Sequence, residues 1–142
     1  MQKVVITGHD LTVDQIIAVC REGAEVVLSD ESREKILASR QVVNELVEER
    51  KVVYGITTGF GKFSDVVISQ DECKLLQKNL IITHAVGAGD PFKEDIARGI
   101  LLLRVNSLSN GFSGICLETV ETMIAMLNKG VTPFIPEKGS LG

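Results

Sequence analysis

The chain has 142 residues, 44% hydrophobic and 24% charged, with 4% aromatic and a net charge of −4. That length fits one domain or one piece of a larger one, and the core must be aliphatic. The acidic balance argues against a general nucleic-acid binder, which needs a Lys/Arg surplus to neutralise phosphates.

Lys3–Ile6 and Glu25–Leu28 are short, β-branched and bounded by Gly or Ser, which predicts two small strands. Between them, Thr12 with Gln15 three residues on forms a capping box opening a short helix that Gly23 closes. From Ser29 the period changes. Ile36, Val43, Leu46 and Val47 recur at helical spacing among charges up to Arg50, predicting a long amphipathic helix.

That helix leads into Tyr54-Gly55-Ile56-Thr57-Thr58-Gly59-Phe60-Gly61, which holds the only tyrosine beside three glycines. Glycine weakens regular elements, so the cluster suggests a special backbone path that leaves a phenol on a segment able to move. A phenol is a usable acid or base only when its pKa is pulled down from about 10. The competing reading is a strand end and turn, with Tyr54 half-buried as packing. A phosphate loop over residues 55–62 fails twice. Ile56 stands where its first glycine belongs, and Phe63 follows Lys62 where Ser or Thr should hold magnesium.

Ser69 with Glu72 predicts a second capping box, opening a helix with Leu76, Leu80 and His84 on one face and Gly87 or Gly89 at its end. His84 reads either as a core histidine bonded to a carbonyl or as a ligand-facing imidazole. Asp90-Pro91 predicts an N-cap and first helical residue, followed by a helix through Ile96, Ile100 and Leu103 that Asn110-Gly111 breaks. Arg104 and Asn106 interrupt it, either organising a site or tying helices together. Ser113 is read as starting a last helix, with Val120, Ile124 and Leu127 on one side and Gly130 as its stop. Two prolines keep residues 131–136 extended. The helices across residues 90–129 are apolar over arcs wider than a small two-layer domain covers, so partner helices are expected from outside this stretch.

Cys20, Cys73 and Cys116 are odd in number and lack a Cys-x-x-Cys pair, reading as thiols in a reducing cytoplasm and not as a disulfide frame or zinc site. Only His9 and His84 are present, which argues against a His-rich metal centre. No apolar run approaches the ~20 residues of a membrane span, and the N-terminus has too few apolar residues for a signal peptide.

Five motifs occur in order: the tyrosine segment, Thr83-His84-Ala85-Val86-Gly87, Arg104-Val105-Asn106-Ser107-Leu108, Gly111-Phe112-Ser113-Gly114 and Pro136-Glu137-Lys138-Gly139-Ser140-Leu141-Gly142. Together they resemble the N-terminal part of the aromatic amino acid ammonia-lyase and aminomutase family, along nearly the whole chain. The resemblance implies a mainly α fold, a long-helix bundle with a small N-terminal β element. It makes residues 1–142 the leading segment of the catalytic domain, stopping just before an Ala-Ser-Gly triad. That triad, expected directly after Gly142, cyclises to a methylidene-imidazolone electrophile; no metal or nucleotide is implied.

By the same resemblance, Tyr54 matches the base that takes the β-proton, Gly61 lines the substrate pocket and His84 contacts the substrate's ring. The implied reaction converts L-histidine to trans-urocanate and ammonia in a cytoplasmic homotetramer whose sites draw on several subunits and on the remainder of the polypeptide. Thr83-His84-Ala85 is close to the Ser-His-Ala of the histidine-acting members, with Thr83 a departure. A tyrosine ammonia-lyase, an aromatic 2,3-aminomutase and, for this stretch alone, a non-catalytic helical assembly segment stand as alternatives.

Overall fold

The computed structural model describes residues 2–58 and 70–139, with side chains in the second stretch from residue 75 onward. Strand β1 (Lys3–Ile6) and strand β2 (Glu25–Leu28) pair in parallel, Lys3 opposite Glu25 and Ile6 opposite Leu28, with helix α1 (Val13–Arg21) as the crossover. The capping box forms as expected. Gln15 N–H donates to Thr12 Oγ1 at 3.3 Å, and Thr12 N–H donates to Gln15 Oε1 at 2.9 Å. Gly23, at φ +73°, turns the chain out of α1.

Helix α2 (Asp30–Glu48) starts at Ser29, whose hydroxyl accepts from Ser32 N–H at 3.1 Å. Helix α3 (Gln70–His84), strand β3 (Gly87–Pro91), helix α4 (Glu94–Leu108), helix α5 (Leu117–Asn128) and strand β4 (Pro136–Gly139) follow. The capping box at Ser69 falls outside the described residues. Val4, Ile6, Val26 and Leu28 form one buried sheet face. It joins Ala18, Val19, Ile36, Leu101, Leu102, Val105, Val120, Ile124 and Leu127 in a single aliphatic core.

Two helix starts differ from the sequence reading. Asp90 and Pro91 do not open α4; they belong to β3, which pairs antiparallel with β4. Phe92 N–H extends that pairing to Ile135 O at 2.9 Å, and α4 begins at Glu94 with Lys93 as an N-cap that makes no side-chain bond. Proline at residue 91 therefore serves a strand end, where its missing N–H costs nothing. Helix α5 begins at Leu117 and not at Ser113, because residues 110–114 are held as a loop against α2.

Asparagine side chains lace the sheet to the helices. Asn128 accepts from Val26 N–H at 2.8 Å and donates to Val26 O at 2.9 Å, so it covers backbone groups of β2 as another strand would. Asn106 Oδ1 accepts from Gly8 N–H at 3.2 Å and Asn110 Nδ2 donates to Gly8 O at 2.8 Å. Asn106 thus ties elements together, while Arg104 is exposed. Among the described residues no helix is long and apolar enough to cross a membrane.

Candidate active site

Tyr54 sits on a turn that its own backbone and two threonines hold. Beyond α2, Arg50 takes the left-handed conformation (φ +53°), uncommon outside glycine, and Lys51 N–H reaches back to Leu46 O at 3.1 Å. Ile56 and Thr57 N–H then donate to Val53 O at 3.1 and 3.0 Å. The Thr57 hydroxyl accepts from Val53 N–H at 2.9 Å and donates to Lys51 O at 2.5 Å, closing the turn on both sides. Gly55, at φ +73°, donates to Thr58 Oγ1 at 3.4 Å.

Thr57 and Thr58 are buried while Tyr54 is 63% exposed, so the turn is anchored by its threonines and holds the phenol outward. The packing reading of Tyr54 does not fit that exposure. Ile56 lines a cleft of about 680 Å³ between Val42, Val43 and Leu46 of α2 and the loop at Phe112.

His84 is the last residue of α3 and is exposed, which removes the core-histidine reading. Its Nδ1 lies 2.9 Å from Leu80 O and 3.1 Å from Thr83 Oγ1. Val86 N–H donates to His84 O at 2.8 Å, turning the chain into β3. Gly87 then pairs with Gly139 and Ala88 with Lys138. A Cβ at Gly87 would stand 2.6 Å from Pro136 Cγ, so only glycine admits β4 this close. The ladder therefore delivers the end of β4 to a point three residues past His84.

Tyr54 and His84 stand on either side of residues 59–69, and Gly61 and Lys62 lie outside the described residues. Neither Tyr54 nor His84 lines the cleft of α2 or that formed by α1, α4 and α5.

This second cleft, about 840 Å³, contains a residue the sequence reading missed. Arg98 is 8% exposed, and its Nη2 donates to Val19 O at 3.0 Å and Leu127 O at 3.1 Å. Beside it Arg21 pairs with Asp95 at 2.9 Å. Burial pushes the Cys20 thiol up from its ordinary value, against the lowering pull of Arg98. Cys20 and Cys116 are free thiols. Among the described residues no group of three or more His, Cys, Asp or Glu is arranged to hold a metal ion.

The fold and these positions define a mainly α module with a small β element, carrying a phenol on a short tethered turn and an imidazole at a helix end. The family model of aromatic amino acid lyases matches residues 11–142, and the chain belongs to that family. It is 58% identical, over its whole length, to a histidine ammonia-lyase of Caldanaerobacter subterraneus subsp. tengcongensis, of which it covers 28%. The crystal structure of histidine ammonia-lyase from Trypanosoma cruzi superposes with a TM-score of 0.91 at 42% identity, over 98% of this chain and 27% of that one. Tyrosine aminomutase from Streptomyces globisporus gives a TM-score of 0.90 at 36% identity, over 97% of this chain and 26% of that one. The chain thus spans little more than a quarter of the length of the relatives it matches.

Proposed function

We propose that residues 1–142 are the leading segment of a histidine ammonia-lyase catalytic domain, and that the complete enzyme converts L-histidine to trans-urocanate and ammonia. The observation that carries this reading is the 58% identity to a histidine ammonia-lyase along all 142 residues.

The chemistry sets what the residues must do. The β-proton of an amino acid is barely acidic, so its removal needs a positioned base, an acceptor for the amine and exclusion of water. Tyr54, as phenolate, takes that proton; the Thr57 and Thr58 ties fix the backbone from which the phenol projects. His84 contacts the substrate's ring from the end of α3, and Gly61, having no side chain, lets the substrate approach. A methylidene-imidazolone built from an Ala-Ser-Gly triad after Gly142 supplies, when in place, an electrophile for the amine that no ordinary side chain offers. That reading is supported by the β3–β4 ladder, which pairs Gly139 with Gly87 and so brings the end of β4 close to the turn that follows His84. The enzyme is a cytoplasmic homotetramer. Ile96, Ile100 and Leu103 on α4 and Ile81 and Ile82 on α3, all 41–71% exposed, provide apolar surface for the remainder of the polypeptide and for partner subunits.

Product analysis of the full-length protein tests the reading. Urocanate from L-histidine is expected. A second reading, a tyrosine ammonia-lyase or aromatic aminomutase, rests on the weaker likeness to tyrosine aminomutase, and under it L-tyrosine would give coumarate or a β-amino acid while L-histidine is left unchanged.

A further inference from the structure

The Thr57 side chain is buried beneath the turn that carries Tyr54, and its single oxygen makes two bonds at once. It accepts from Val53 N–H at 2.9 Å and donates to Lys51 O at 2.5 Å. Both partners precede Tyr54 in the chain, so one hydroxyl fixes the backbone leading up to the phenol. The same oxygen ties the turn to α2. Lys51 N–H donates to Leu46 O at 3.1 Å, reaching back past Arg50 in its left-handed conformation, which makes Lys51 part of the cap of α2. The Thr57 hydroxyl on Lys51 O carries that cap on into the turn. The aliphatic core, by contrast, contains none of residues 50–58. What the hydroxyl holds in place is therefore the path of the chain at Tyr54 and not the fold.

We infer that Thr57 is a positioning residue for proton removal: its hydroxyl couples the Tyr54 turn to the end of α2 and holds the phenol's backbone in one arrangement. This rests on the lyase reading above, with Tyr54 as the base, and adds what aims it. A misplacement of about 1 Å at a reacting group can cost about 10²-fold in rate. Valine has nearly the shape of threonine, so Thr57→Val removes both hydrogen bonds while leaving the packing almost as it was.

The test uses the full-length protein with L-histidine and with L-histidine deuterated at its β-carbon. In Thr57→Val, kcat is expected to fall by about tenfold or more with KM little changed. Proton removal then becomes slow relative to product release, so the deuterium isotope effect on kcat rises above that of wild type. Thr57→Ser, which keeps the hydroxyl, restores both. A merely structural role would lower the thermal midpoint and the amount of active enzyme and leave the isotope effect unmoved. That result overturns the inference alone, as does a kcat for Thr57→Val close to that of wild type. A Thr57→Ser enzyme as slow as Thr57→Val overturns it too. Should Thr57→Val fail to fold, Thr57→Cys takes its place, since a thiol bonds weakly at both partners, and an unmoved isotope effect there overturns the inference. Absence of any turnover of histidine by the wild type overturns the lyase reading and the inference with it.

Discussion

Arg98 sits where the last turns of α1 and α5 converge, and one of its guanidinium nitrogens donates to a carbonyl of each. Helix C-termini carry partial negative charge and unpaired carbonyls, so a buried cation there meets both needs at once. Replacing Arg98 by Met keeps the stem's volume and leaves both carbonyls without their donor. A hydrogen bond to a charged group contributes about 1.5–3 kcal/mol, and the adjacent cleft admits water, so the expected loss is about 2–3 kcal/mol. Chemical denaturation of the full-length enzyme checks this. Activity per folded molecule should be unchanged, since Arg98 lines a cleft that holds neither Tyr54 nor His84. Sequence periodicity places residue 98 on α4 but carries no sign of this role, because the two carbonyls come from residues 79 positions before it and 29 after. Tyr54 and His84 stand out in the sequence for a different reason, as a lone tyrosine among glycines and a histidine near a helix end beside glycines. Those local patterns leave packing readings open, the family resemblance alone proposes their roles, and the structure shows that both are exposed.

The loop of residues 110–114 is the element whose geometry is most tightly specified. Gly111 takes φ +73°, and a Cβ there would stand 2.7 Å from the backbone carbonyl of Lys35. Ser39 Oγ accepts from Gly114 N–H at 3.0 Å and Arg40 donates to Gly114 O at 3.2 Å, so the loop cannot move off α2 without losing both bonds. Gly111→Ala is therefore expected to cost about 2 kcal/mol or more from combined strain and overpacking, read as a lower thermal midpoint. An unchanged midpoint would mean that the loop has a second arrangement. Both strands of the parallel pair, the capped start of α1 and the buried faces of α2 and α5 were legible, because hydrophobic period and capping are set within about one turn. The antiparallel pair was not. Gly87–Pro91 has no β-propensity, and its ladder forms because Gly87 and Gly139 let two backbones close up from 52 positions apart. Asp90-Pro91 imitates a helix start so well that only this long-range pairing displaces it.

Across the whole molecule, one aliphatic core joins the parallel strands to α1, α2, α4 and α5, while α3 shows no substantial packing on any other element among the described residues. Leu75, Ile81 and Ile82 on α3 and Ile96, Ile100 and Leu103 on α4 are among the apolar side chains left exposed. A domain complete in itself would bury more of them. Such a division is what the proposed function expects, in which Tyr54 and His84 serve a site finished by other parts of the enzyme. The most direct test is Tyr54→Phe in the full-length protein, assayed for loss of ammonia from L-histidine with the circular dichroism spectrum recorded alongside. The phenol is exposed, so the fold should stand, while losing the proton acceptor lowers kcat by about 10²–10⁴-fold or more. Turnover within a few-fold of wild type would contradict the assignment of Tyr54 as the base.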